Sequence, residues 1–315
     1  MFHAKSLGDG PCGFVMGLCT ATAQGQVFSQ PTNVSQNPAS DSVYPAMIVD
    51  SAGNIDVAWV DSASGINFAR STNAGLSFLP AVRIGNVSIG VAFQPQIAVD
   101  PTGTIIEIAW AKPSAASGAP AGTFDVFVSQ LTIGAVITTP VSTAVKLVDS
   151  PRLAFDGTGV DVVWGNTETW ISHSPNGTTF NAPINLSIAP QDSGGPRVAV
   201  DKSGNIFVAW TDRLAEDQNK QGNFCTNPTG TTNGNGIITV FSNTFGGNYY
   251  LNETPSLSTP NSANTRNLSK EWVDQNYPAG YFGCSYDSLH LFFDQKDNLH
   301  LLWADEAPLV RGAAY

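Results

Sequence analysis

Arg152 and Arg197 stand in the same local phrase, each directly after a proline, and Arg213 follows further along the chain. Guanidinium groups gathered in this way complement a carboxylate through paired, charge-assisted hydrogen bonds. Asp61, Asp212 and Asp305 each come two residues after a tryptophan, so one position of a repeating unit supplies a carboxylate three times. Trp272, Tyr277, Tyr281, Phe282 and Tyr286 cluster in one stretch. Such rings stack on sugar faces, or they form a small satellite core under a long loop, and the sequence leaves both readings open. His3, His173, His290 and His300 have no metal-ligand spacing, and no Ser-His-Asp order or phosphate loop is legible. Neither a metal nor a cofactor is expected.

These residues hang on a repeated phrase. Pro196 to Trp210 reads PRVAVDKSGNIFVAW: a β-rich run, a tight Asp-Lys-Ser-Gly turn and a second β-rich run ending in Trp. The phrase recurs from Pro45 to Trp59, from Pro95 to Trp110 with one residue more, and from Pro151 to Trp164 with one fewer. It returns from Leu289 to Trp303, where Asp297-Asn298 replaces Gly-Asn. Five copies of a hairpin mark a repeat architecture, which overrides the two-domain prior of a 315-residue chain. The tryptophans are read as core.

A third strand and a second turn complete each unit. Ser71, Asn73, Gly75, Ser77 and Phe78 set the pattern, which His173, Pro175, Gly177, Thr179 and Phe180 repeat at the same offsets. Ser242, Thr244, Gly246, Asn248 and Tyr249 repeat it again, and the copy around Ser129 to Gly134 is degenerate. The pattern resembles S-x-D-x-G-x-[ST]-[WF], the Asp-box or BNR repeat of the sialidase superfamily, over roughly residues 25 to 315. None of these boxes carries the eponymous Asp, and Asn73 comes nearest. In physical terms a short polar side chain bonds the turn backbone, Gly takes positive φ and the aromatic packs between repeats.

The resemblance implies an all-β chain, a β-propeller of four-stranded blades. Five blades are expected, or six if the chain is a fragment, with Val27 to Ser35 closing the ring as the last outer strand. It also implies a site of sialidase type, in which three arginines hold a substrate carboxylate and a tyrosine works with a glutamate and an aspartic acid. Arg152, Arg197 and Arg213 would supply the cations, Tyr281 or Tyr277 the phenol, Glu271 its base and Asp61 the acid. The first blade departs from the family pattern, with Pro45-Ala46-Met47 where an arginine is expected. The catalytic set is therefore incomplete. The leading expectation is a glycan- or surface-ligand-binding propeller without catalysis, with Trp272, Tyr277, Tyr281, Asp212 and Asp305 as ligand contacts. An exo-glycosidase of sialidase type and a structural adhesion module are the alternatives.

Residues 1–23 read as an export signal, with the apolar run Cys12 to Thr20 followed by Ala21-Thr22-Ala23, so a secreted or periplasmic protein is expected. Residues 24–315 read as one propeller domain with insertions at about 212–236 and 257–287. Cys225 falls in one insertion and Cys284 in the other, an even pair that an oxidising compartment would join as a disulfide. The net charge of −11 argues against nucleic acid, and no apolar run beyond the signal is long enough for a membrane span. The expected partner is a glycan or cell-surface ligand met by a monomer.

Overall fold

A computed structural model of the chain describes residues 30–132, 134–147, 149–165, 168–187, 194–213, 236–242, 265–267 and 289–302. The described residues from Asn33 onward belong to one compact unit. Residues 30–32 belong to a separate N-terminal unit and carry no regular element.

The unit is built of antiparallel sheets taken in chain order. The first holds β1 (Ser42–Val49), β2 (Ile55–Asp61), β3 (Gly65–Ser71) and β4 (Val82–Gly85). The second holds β5 (Gln96–Val99), β6 (Ile106–Pro113), β7 (Phe124–Thr132) and β8 (Ala135–Val145). The third holds β9 (Arg152–Phe155), β10 (Val160–Gly165), β11 (Thr169–Ser174) and β12 (Ile184–Asn185). The fourth holds β13 (Gly194–Val200), β14 (Ile206–Arg213), β15 (Gly236–Ser242) and β16 (Thr265–Asn267). A final pair, β17 (His290–Phe293) and β18 (Leu299–Leu302), follows.

Each repeated hairpin is the first strand pair of a sheet, and its turn is held by its own aspartate. Asp50 Oδ1 accepts the backbone N–H groups of Ala52 and Asn54 at 3.0 and 2.8 Å, while its Oδ2 takes the Asn54 amide at 2.7 Å. Asp201 with Asn205 and Asp294 with Asn298 repeat this arrangement. Gly53 and Gly204 sit at φ +81° and +83° in these turns. In the final pair Asp297 takes that place at φ 68°, a conformation that short polar side chains tolerate.

The sheets stack face to face because their second strands are apolar on both sides. Alternate residues of β2 point to opposite faces. Ala58 and Val60 pack with Ile106, Ile108 and Trp110 of the second sheet, while Val57 and Trp59 pack with Ala69, Phe78 and Val34 on the other face. Trp164 joins the second sheet to the third, Trp210 joins the third to the fourth, and Leu289 and Leu291 bring the final pair onto the fourth. All four of these tryptophans are buried, as expected of core residues. The first strands of successive sheets also lie side by side, from β1 through β5, β9 and β13 to β17.

Three expectations change. The turn after β11 is set one residue later than the sequence pattern has it. Ser174 and Asn176, not His173 and Pro175, take the parts of Ser71 and Asn73: Asn176 Oδ1 accepts from the Ser174 hydroxyl and from the N–H groups of Thr178 and Thr179. The register agrees, since Ser71 faces Ile55 as Ser174 faces Val160. The short strand β16 lies within 257–287, a stretch read as all insertion; Thr-Arg-Asn has no apolar alternation to betray a strand. Finally, residues 30–35 form no strand, and Val34 packs instead on the first sheet. Residues 27–29 of the expected closing strand, the signal segment and residues 303–315 lie outside the described residues.

Candidate functional site

The arginine pair expected from the sequence comes together. Arg152 starts β9 and Arg197 lies near the start of β13, on neighbouring first strands. Both reach Asp149, which precedes β9: Arg152 Nη2 donates to Asp149 Oδ2 at 3.1 Å, and Arg197 Nη1 to the same oxygen at 2.8 Å. Arg197 Nη1 also donates to the carbonyls of Gly195 and Pro196 at 3.1 and 3.0 Å, which fixes its direction. The second carboxylate oxygen, Asp149 Oδ1, accepts the Ser150 N–H at 2.6 Å.

The three side chains are partly open to solvent, at 20%, 16% and 30% for Arg152, Arg197 and Asp149. Burial alone would push the Asp149 carboxyl up, but the charges of Arg152 and Arg197 outweigh it and hold the group below its ordinary range. Burial and the neighbouring Arg197 lower Arg152 against the pull of Asp149. Arg152 Nε is buried and has no partner. The cluster of two guanidiniums and one carboxylate therefore carries one positive charge in excess. The sequence reading missed Asp149, although its spacing of three residues ahead of Arg152, across Pro151, was there to be read.

Of the other expected residues, Asp61, Asp212 and Arg213 are among the described ones. Asp61 closes β2 in the first sheet, where its Oδ1 accepts from the N–H groups of Ala63 and Ser64 and its Oδ2 from the hydroxyls of Ser40 and Ser42. Burial opposes its ionisation, but these hydrogen bonds win and keep it below the ordinary carboxylate range. Asp61 thus caps a turn that holds its carboxyl low. Asp212 and Arg213 end β14 opposite Ile237 and Gly236, just beyond the Gly194–Thr211 pair, at the strand end where β13 begins. Glu271, Trp272, Tyr277, Tyr281, Asp305, Cys225 and Cys284 lie outside the described residues.

The opposite end of the hairpins holds a buried series of acids. One strand position supplies Asp56 in β2, Glu107 in β6 and Asp161 in β10, each fully buried. The facing residues are Arg70, Gln130 and His173. Arg70 forks onto both oxygens of Asp56 at 2.6 Å and reaches Asp50 Oδ2 at 3.2 Å and the Gly103 carbonyl of the next sheet at 3.3 Å. Gln130 donates to Glu107 Oε1 and to the Asn176 carbonyl of the third sheet, both at 2.8 Å. Burial pushes the Glu107 carboxyl up to about 8, so it is protonated at neutral pH. His173 Nδ1 stands 3.2 Å from Asp161 Oδ1 and 3.8 Å from Asp156 Oδ2. The hydrogen bond with Asp161 raises the imidazole, and burial pushes Asp161 up to about 6.

No protein-family model and no curated protein sequence matches the chain. Solved structures do. An α-L-arabinanase of Penicillium chrysogenum, solved with arabinobiose, superposes with TM-score 0.51 at 12% identity, over 84% of this chain and 80% of that one. The GH93 α-L-arabinofuranosidase of Fusarium graminearum, also with arabinobiose, gives TM-score 0.47 at 8% identity over 81% and 71%. A protein of unknown function from Dyadobacter fermentans gives 0.49 at 12% over 86% and 77%. The likeness to the arabinanase shows the fold: four-stranded antiparallel sheets arranged as in the β-propeller glycosidases.

Proposed function

We propose that this chain is a secreted, glycan-directed β-propeller whose ligand site lies at the strand end marked by Asp149, Arg152 and Arg197. The observation that carries the reading is the pair of half-buried guanidiniums meeting on one carboxylate where adjacent first strands begin. Such a cluster offers directed donors to hydroxyls or to an acidic substituent, and one acceptor to a sugar hydroxyl. Binding sites of rigid repeat scaffolds sit on the loops at one end, and Asp149 belongs to the link between the second and third sheets. The arabinanase of similar fold was solved with a disaccharide, which supports a sugar ligand of that class.

Hydrolysis in exo-glycosidase fashion is the second reading, favoured by the fold shared with that arabinanase. It requires two carboxyl groups, one of them a proton donor. Asp149 is held ionised by its arginines and suits the role of base or charge stabiliser. The backbone places Asp212 at the same strand end, where it is the candidate for the partner acid. A sialidase-type site stays within this reading, with Arg152 and Arg197 taking a sugar carboxylate. A glycan array carrying arabino-oligosaccharides and sialosides, followed by product analysis on each bound sugar, tests both readings. Binding with release of a monosaccharide selects the hydrolase, binding alone selects the lectin-like protein, and a blank array contradicts the glycan reading.

A further inference from the structure

Three sheets solve the same electrostatic problem in three ways. Arg70, Gln130 and His173 hold one register position, facing Asp56, Glu107 and Asp161. In the first sheet the guanidinium satisfies both Asp56 oxygens and the turn aspartate Asp50. In the second sheet the acid is neutral, and the Gln130 amide meets one of its oxygens while Glu107 Oε2 stays buried without a partner. The third sheet repeats the acids of the first, with Asp161 on the strand and Asp156 in the turn, but it faces them with an imidazole. One ring nitrogen cannot do the work of a forked guanidinium. Asp161 Oδ2 is left with no partner although the side chain is completely buried.

We propose that the third sheet binds a divalent transition-metal ion of the zinc class at Asp156, Asp161 and His173. Their ligand atoms all lie within 4.8 Å of one another. One imidazole nitrogen and two carboxylates form the mixed N/O set that Zn²⁺ accepts, with a further position open to water. The ion would supply the positive charge that Arg70 supplies in the first sheet, and Asp161 Oδ2 is the buried lone pair that lacks it. Crowding keeps the cluster small: a Cβ on Gly159 would lie 2.9 Å from His173 Cε1, so no side chain intrudes at that position. The Asp156 carboxylate is oriented by the N–H groups of Thr158 and Gly159, both at 2.7 Å, as outer-shell donors orient metal ligands. The cluster lies at the opposite end of the β9–β10 hairpin from Arg152, so its role is to stabilise the fold rather than to meet the sugar.

The test uses the full chain, stripped with a chelator and dialysed against Zn²⁺. Bound metal is read by atomic absorption and stability by thermal melting. Wild type should retain one equivalent of Zn²⁺ and melt at higher temperature with it. His173→Arg, which copies the first sheet, should melt cooperatively without metal and retain none. Asp161→Asn should also lose the uptake, and it keeps the test open if the arginine variant does not fold. Wild type that retains no Zn²⁺, or variants that retain as much as wild type, would overturn the assignment and leave an internal ion pair.

Discussion

Arg152 begins β9, Arg197 lies near the start of the neighbouring β13, and the two meet at a single atom, Asp149 Oδ2, at 3.1 and 2.8 Å. Two cations share one anion, so the carboxylate is the keystone of the cluster. Asp149→Asn would leave two partly buried guanidiniums without their counter-ion. We expect a loss of about 1–3 kcal/mol in urea unfolding at unchanged m-value, the range for a buried hydrogen-bonding group left unsatisfied. An unchanged midpoint would contradict the pairing.

Glu107 gives the fold a pH dependence of defined sign. Its folded-state pKa of about 8 lies above the ordinary glutamic value of 4.5. The folded state therefore holds a proton that the unfolded chain releases between those values, and stability falls as pH rises through that window. The slope from this one group is at most about 1.4 kcal/mol per pH unit. Glu107→Gln should match wild type at pH 4, then gain on it steadily up to pH 8 in a series of thermal melts. A constant difference across that range would show that Glu107 is not buried in its neutral form.

Arg70 is the sole cation on two buried carboxylates, among the described residues. Arg70→Ala strands Asp56 and Asp50 together, which should cost about 3–5 kcal/mol at neutral pH. Chemical denaturation of the variant checks this. Loss of less than about 1 kcal/mol, the range of an exposed surface pair, would mean that solvent replaces the guanidinium.

Gly85 in β4 lies against the Trp110 ring, so an added Cβ would strike the indole. Trp110 cannot readily yield, since its Nε1 donates to Ser129 Oγ at 3.0 Å and its ring stacks on Phe127 at 4.7 Å between centroids. Gly85→Ala should destabilise by about 1–3 kcal/mol, as overpacked cores do. A melt indistinguishable from wild type would refute this contact between the first and second sheets.

Much of the fold was legible because the hairpin phrase states its own structure. The Asp of each turn and the Gly-Asn pairs of the first and fourth are visible in the sequence, and each has the hydrogen bonds or the positive φ that its type suggests. The buried strand acids were less legible. Asp56, Glu107 and Asp161 look like ordinary solvent-facing residues of alternating strands until sheets stack on both sides. His173 was hidden by a one-residue ambiguity: His-Ser-Pro-Asn can place either His173 or Ser174 at the head of the turn, and only the pairing of Ser174 with Val160 decides. Of the candidate site, Arg152 and Arg197 were legible from their shared place after proline. Asp149 was missed because it lies in a connecting segment outside the repeat, although its place three residues ahead of Arg152 is visible.

The central claim is that the Asp149–Arg152–Arg197 cluster receives a sugar. Isothermal titration of wild type and Arg197→Ala with arabinobiose, and with the strongest binder from a glycan array, tests it most directly. The cluster predicts saturable binding by wild type and a loss of about 1.5–3 kcal/mol in Arg197→Ala, the worth of a charge-assisted hydrogen bond. Equal affinities in the two proteins, with both shown to be folded by their melts, would contradict it.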